Sequence, residues 1–246
     1  MQMQMQMQMQ MARRPGPGAL HSCPIDYRLG AGRVDPFRSS PGPWRPYVPA
    51  LTDHYIVHMA QDIAELDGPG HAGLLRTRWY PLVLSHAATF AVVLLLAAAN
   101  HITNLTPLSF AGGRDGLLGF ASLDAYRQHL AHLKHASIAA IDAALSDPRR
   151  RLSDAAIGAV AKMASFEAMH GDVASYRMHM RGLRLMLDLR GGLGALGLGG
   201  LLRRIVVWID LNASFLLGVE RYFPGQTFTG EDEVAEPNPA RFIAIR

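Results

Sequence analysis

Histidines at helical spacing are the first residues in this sequence that could do chemistry. His129, His132 and His135 lie three residues apart, and His54 and His58 lie four apart, so neighbouring rings on a helix could ligate one metal ion. Neither group has a cysteine beside it, and no carboxylate lies one turn from the first group. Imidazoles in solvent or at the edge of a core are the default interpretation, and we predict no metal site.

A glycine-rich segment suggests a second chemistry, phosphate binding. Gly192, Gly194 and Gly197 match the G-x-G-x-x-G pattern of dinucleotide-binding loops, and Asp210 lies 18 residues beyond the first glycine, near the distance of a ribose-binding carboxylate. That mechanism needs a buried strand before the glycines. The apolar residues there recur instead with a helical period. We therefore predict a loop between two helices and no bound dinucleotide.

The remaining polar groups do not indicate catalysis. No grouping of Ser, His and Asp and no pair of carboxylates at catalytic spacing stands out, so we predict no enzyme and no catalytic, cofactor-binding or metal-binding residue. Asp210 lies on an apolar segment with Arg203 and Arg204, and an interhelical polar contact accounts for it. Arginines at 149–151 precede Ser153 at a spacing that basic-directed kinases accept, but Ser153 also suits a helix N-cap, which we favour.

Helices must position these residues, because apolar side chains recur three and four apart from Leu51 onward. We predict an all-α fold of about six packed helices that form antiparallel α-hairpins. The predicted helices cover residues 52–66, 81 to about 99, from the N-cap Ser122 to just before Pro148, from Ser153 or Asp154 to His170, 173–189 and 201–217. Gly171 is expected in a left-handed conformation and Asp172 as the next N-cap, which makes 170–172 the turn of an α-hairpin.

Two of these helices have predicted core positions. In the third helix they are Leu123, Tyr126, Leu130, Leu133, Ser137, Ile141 and Ala144. In the fourth helix they are Ile157, Val160, Ala161, Ala164 and Ala168, whose small members permit close packing.

Composition divides the chain into three parts. Residues 1–50, a Met-Gln repeat followed by a stretch rich in Pro, Gly and Arg, are predicted to form a disordered arm. Residues 51–224 form the helical domain, and residues 225–246 form an acidic tail that contains prolines. The formal charge of +4 comes from six Arg and two Asp in the arm, so the helical body lacks the basic footprint of a nucleic-acid-binding surface.

The charged fraction and the single cysteine add two constraints. Only 18% of the residues are charged, which is low for a globular domain and favours a binding role. Cys23 is the one cysteine, so neither an intrachain disulfide nor a zinc site of four cysteines can form from this sequence.

Residues 80–99 raise the alternative of a membrane-associated helical protein anchored by this segment. The stretch from 79 to 113 contains no charged residue, and twenty residues can cross a bilayer of about 30 Å. Pro81, Ser85, His86 and Thr89 occupy the first half of the segment, as suits a helix buried inside protein. We favour the buried helix and keep the membrane anchor as the alternative.

Several short motifs, in this order and spacing, resemble the fungal-specific transcription factor family. They lie at residues 30–37 (GAGRVDPF), 51–55 (LTDHY), 79–81 (WYP), 163–168 (MASFEA) with 171–172 (GD), 179–183 (HMRGL), 189–193 (LRGGL), 201–204 (LLRR) and 208–210 (WID). Together they cover residues 30 to about 224.

The resemblance implies an all-helical regulatory domain of a nuclear regulator of RNA polymerase II genes. Members usually carry a separate zinc binuclear cluster of six cysteines that reads DNA, and Cys23 alone cannot build one, so we expect no direct DNA binding by this chain. The family domain usually extends further than this sequence does, and we expect a truncated domain. Exposed core-facing surface would then favour self-association or a protein partner, with no effector identified.

Overall fold

The computed structural model describes residues 40–105, 118–230 and 235–243. Within these ranges the regular elements are all helical, and none is a strand, which confirms the predicted all-α fold. The predicted disordered arm up to residue 39, Cys23, the motif at 30–37 and the acidic residues 231–233 lie outside the described residues.

Short helices lie at both ends of the described chain, and the five long helices lie between residues 87 and 217. The α-helices are α1 (Val48–His54), α2 (Ala64–Asp67), α3 (Tyr80–Ser85), α4 (Ala87–Thr103), α5 (Leu123–Ser146), α6 (Asp154–His170), α7 (Val173–Arg190), α8 (Leu201–Leu217) and α9 (Pro239–Ile243). Two π-helical turns extend them: Tyr55–Met59 continues α1, and Leu75–Trp79 leads into α3. The short 3₁₀ turns Leu193–Ala195 and Leu198–Gly200 connect α7 to α8.

Helix α6 lies at the centre of the fold. It packs against α4, α7 and α8 and, more lightly, against α5. Every residue from 155 to 168 is buried, including the five predicted core positions of this helix. In α5 the predicted positions Tyr126, Leu133, Ser137 and Ile141 are buried, whereas Leu123, Leu130 and Ala144 are only partly buried.

Antiparallel pairing, as predicted, joins neighbouring long helices. The two-residue connection at 171–172 folds α7 back along α6. Tyr126, at the start of α5, contacts Ala98 and His101 at the end of α4, so α4 and α5 also run in opposite directions.

Local helix signals predicted the N-termini of the long helices. The side chains of Ser122, Ser153 and Asp172 accept hydrogen bonds from backbone N–H groups one turn later, at 3.1, 3.2 and 2.8 Å. The N-cap interpretation of Ser153 is therefore confirmed. At the other end of α7, Gly191 adopts the left-handed conformation that ends a helix.

Three local predictions are wrong. The helix predicted over 52–66 is interrupted, because Ile63 is extended and the chain is non-helical between Met59 and Ala64. The helix predicted over 81–99 breaks at His86, which is extended (φ −140°, ψ 127°). Gly171 is not left-handed (φ −110°, ψ −130°). A glycine is needed there for a different reason, since a Cβ atom at this position would overlap the Glu167 side chain.

The break at His86 changes the membrane argument. Hydroxyl groups of Ser85 and Thr89 donate to the backbone carbonyls of Pro81 and His86, a local bonding pattern that competes with a continuous helix. In the part of the chain that the structure describes, no single helix is both long and apolar enough to span a membrane; only Leu75–Ser85 together with Ala87–Thr103, bent by 120°, has the required length and composition. Most of α4 is buried against other helices, so the membrane alternative is not favoured.

Candidate interaction surface

The His129 group does not form a common site. The His129 ring packs against Tyr47 and Phe120, with centroid distances of 4.5 and 4.9 Å, and burial is the main cause that lowers its pKa. His132 lies 6.3 Å from His129 between ring centroids, and His132 and His135 are exposed. Across residues 40–105, 118–230 and 235–243, no three His, Cys, Asp or Glu side chains are arranged to hold a metal ion.

His54 and His58 meet a third histidine that the sequence analysis missed. The His54 ring lies 4.7 Å from His58 and 5.1 Å from His101, and the His54 Nε2 atom is 2.9 Å from the side-chain oxygen of Asn100. Burial, with the nearby charges of His54 and His58, lowers the pKa of His101 to about 4. His101 is therefore neutral at pH 7 and packs as an aromatic ring at the junction of α1 and α4.

The glycine-rich segment is a loop between α7 and α8, as predicted. The element that precedes it is the helix α7, which ends at Arg190, and not a strand. Asp210 is buried in the middle of α8 and accepts hydrogen bonds from Arg221 Nε at 3.0 Å and from the backbone N–H groups of Tyr222 and Phe223 at 2.8 and 3.2 Å. Burial raises its pKa, and these donors oppose the shift.

Asp210 does make a polar contact, as predicted, but its partners are not on another helix, so the prediction of an interhelical contact is wrong. The donors come from the segment that follows α8, which Asp210 anchors against its own helix. Arg203 binds the same segment through the Thr227 carbonyl oxygen, and Arg204 reaches the Leu66 carbonyl oxygen at 2.7 Å. All three charged side chains of α8 therefore bind groups of the same chain.

A buried lysine is the second feature that the sequence analysis missed. Lys162, on α6, is 9% exposed, and its ammonium lies 5.7 Å from the centroid of the Trp79 ring. No carboxylate among the described residues pairs with it, and burial lowers its pKa to about 8. The sequence feature that could have revealed this buried lysine is that it is the one charged residue between Asp154 and Glu167.

Trp79 itself is fixed by a hydrogen bond and by close packing. Its indole N–H donates to the Tyr55 hydroxyl at 2.9 Å, and its ring lies against Gly158, where a Cβ atom would come within 2.7 Å of the ring. The π-helical turn that contains Trp79 therefore packs onto α6 only because position 158 has no side chain.

The other buried charge of α6, Glu167, is paired. Its carboxylate lies 2.8 Å from the Lys134 ammonium of α5, and His179 of α7 lies 3.9 Å away. Burial lowers the pKa of His179, and the negative charge of Glu167 opposes that shift. A Cβ at Gly171 would overlap the carboxylate, which explains the glycine in this turn.

The surface of α7 carries the candidate functional site. Met178, Leu185 and Leu189 are 59%, 60% and 65% exposed, and they lie on one side of the helix with Gly182 between them. No atom lies within 4 Å of the position that a Cβ at Gly182 would occupy. We call these four residues the α7 stripe. Contiguous apolar residues in solvent are typical of interaction sites.

Arginines and a groove border the α7 stripe on one side. Arg177, Arg181 and Arg184 are exposed. A groove of about 540 Å³ lies between α7 and residues 218–222, and a second groove of about 430 Å³ continues from it past Gly194; both are lined by Arg184 and Tyr222. The Tyr222 hydroxyl donates to the Arg177 carbonyl oxygen at 3.3 Å and so fixes one wall of the groove.

Comparison with known proteins gives one match. The fungal specific transcription factor domain matches residues 50–240, a range that includes every motif of the resemblance except the one at 30–37. No curated protein and no solved structure matches the chain significantly.

Proposed function

The chain belongs to the family of fungal specific transcription factor domains, and we propose that it regulates RNA polymerase II genes in the nucleus by binding another protein through its helical surface. Membership in the family supports the general class of transcription regulator, and a nuclear, non-enzymatic role is what that class implies. The target genes, the compartment of this particular chain and the mode of action belong to the proposal.

The observation that supports protein binding is the α7 stripe. Three large apolar side chains are more than half exposed on one face of a well-packed helix. Their burial in a complex would remove apolar area from water, at about 25 cal/mol per Å². The opposite face of α7, with Tyr176, Met180 and Leu183, is fully buried against the rest of the fold, so the helix is a rigid platform.

The proposal assigns DNA contact to a bound partner rather than to the described helices. The six-cysteine zinc cluster of the family cannot form from a sequence with one cysteine. In the described part of the chain, the charged side chains of α8 bind backbone groups of the same chain.

A tethering experiment tests this function. The full chain is fused to an unrelated sequence-specific DNA-binding module and placed on a reporter gene transcribed by RNA polymerase II in a fungal cell. We expect the fusion to change reporter output relative to the module alone, and a fluorescent fusion to accumulate in the nucleus. Unchanged output together with recovery of the chain in the membrane pellet would overturn the proposal and revive the membrane alternative.

A further inference from the structure

We propose that the α7 stripe and its arginine border bind an amphipathic helix of another protein whose apolar face is flanked by carboxylates. This inference rests on the proposed function, because it specifies the chemistry of the partner that the proposed function requires.

The geometry of the stripe fits a helix. At 100° per residue, Met178, Gly182, Leu185 and Leu189 fall within an arc of about 60°, and they extend over about 16 Å of helix length. Apolar residues at spacings of three and four on a partner helix cover such an arc over about three turns. Gly182 lets the partner backbone approach closely at the middle of the contact.

The charges beside the stripe indicate the composition of the partner. Arg177, Arg181 and Arg184 lie on the same side of the stripe, about 60° to 120° from Met178. Asp188 lies among them, about 80° from Met178, so the border carries three positive charges and one negative charge. No carboxylate of the described chain, Asp188 and Glu220 included, lies within ion-pair distance of any of the three arginines. Guanidinium groups bind carboxylates with two parallel hydrogen bonds, so acidic side chains are the complement that this border lacks.

A second copy of the chain does not supply that complement. If two copies paired through the stripe in an antiparallel arrangement, a twofold axis would bring the arginine border of one copy opposite that of the other. A parallel arrangement would place it opposite the other edge of the stripe, where Ser175, His179 and Arg190 lie and where the N-cap carboxylate of Asp172 already accepts hydrogen bonds from Ser175. In either arrangement the three arginines of one copy would face at most one carboxylate of the other, Asp188 or Asp172, and most of them would stay unpaired. We therefore infer a different, acidic partner.

Designed peptides serve as probes. The first is a labelled helical peptide of 18 residues with Leu at positions matching the stripe and Glu along one side; a second has Lys for each Glu, and a third has Ser for each Leu. Fluorescence anisotropy with the full chain measures Kd. We expect the first peptide to bind at least about 10-fold more tightly than the other two, with an affinity that falls as salt is added.

Matched variants locate the binding site. Leu185→Ala removes one apolar contact and should weaken binding of the first peptide about 10-fold. Arg181→Gln combined with Arg184→Gln should weaken it by a similar factor and reduce the dependence on salt. The controls, Leu84→Ala and Arg127→Gln, change exposed residues of the same types on α3 and α5 and should leave Kd unchanged. Thermal melting checks that each variant is folded.

The outcomes separate this inference from the proposed function. Equal binding of the Glu and Lys peptides, no binding, or unchanged Kd in folded variants would overturn the acidic-helix proposal. Concentration-dependent dimers in sedimentation experiments that Leu185→Ala abolishes would identify a second copy as the occupant instead. If the tethered wild type regulates the reporter and tethered Leu185→Ala regulates it equally, the regulator stands and this surface assignment fails.

Discussion

Helices α6 and α7 are neighbours of almost equal length with opposite environments. In α6 every residue from 155 to 168 is buried, and the sequence there is mostly Ala, Val, Ile and Met with two charged residues. In α7 only Tyr176, Met180, Leu183, Met186 and Leu187 are buried, and arginines and large apolar residues share the outer side.

This difference separates the residues that stabilise the fold from those on which the binding proposal depends. Small residues allow α4, α7 and α8 to pack closely around α6, so changes in α6 act on the whole core. Among the described residues, nothing packs on the α7 stripe around Gly182, so changes there should alter binding and leave the fold intact.

Trp79→Ala should produce the largest loss of stability. The ring is fully buried against Gly158 and bonded to Tyr55, and its removal leaves a large cavity in the core. We expect the free energy of unfolding to fall by about 3 to 5 kcal/mol, measured by urea denaturation. Trp44→Ala, at a residue that is 37% exposed, should cost less than about 1 kcal/mol. Equal losses would show that the core is not centred on α6.

The α6–α7 hairpin shows what the sequence could predict. The N-caps Ser153 and Asp172 bind backbone N–H groups within one turn, so local chemistry was sufficient to predict these helix starts. Helical periodicity predicted the buried positions of α5 only in part, since Leu123, Leu130 and Ala144 are partly buried. In α6 every residue from 155 to 168 is buried, so the periodic positions were only part of its core.

Features that depend on remote packing could not be predicted in this way. The π-helical turn ending at Trp79 packs its indole ring against Gly158, on a helix much later in the chain, and no local signal contains that contact. Gly171 looked like a left-handed glycine but is needed for space beside Glu167. The α7 stripe was not predicted either: Met178, Leu185 and Leu189 recur at helical spacing on the face opposite the buried residues, and their exposure follows from how α7 packs rather than from their types.

Lys162→Met should stabilise the protein. One pKa unit corresponds to about 1.4 kcal/mol, and burial lowers the pKa of Lys162 from an ordinary value near 10.4 to about 8, so the buried charge costs about 3 kcal/mol at pH 7. Between pH 8 and about 10.4 the unfolded state binds more protons than the folded state. The stability of the wild type relative to Lys162→Met should therefore rise across that window, which urea denaturation at several pH values measures.

The other lysine near α6 is the control. Lys134→Met removes the partner of buried Glu167 and should destabilise the protein by about 3 kcal/mol at pH 7, the opposite sign. If both substitutions destabilise, Lys162 has a stabilising partner that its position beside Trp79 does not explain.

Replacing a glycine by alanine should have opposite effects in the two neighbouring helices, at Gly158 of α6 and at Gly182 of α7. At position 158 the added methyl group would meet the Trp79 ring at 2.7 Å, so we expect a loss of about 1 to 3 kcal/mol. At position 182 nothing lies within 4 Å, and alanine is the better helix former, so we expect a gain of about 0.5 to 1 kcal/mol. Melting and urea curves measure both.

Gly182→Ala also tests the binding proposal. A variant that is more stable than the wild type yet binds the acidic peptide more weakly would show that the partner needs the space left by the missing side chain. A loss of stability would instead mean that this side of α7 is not open.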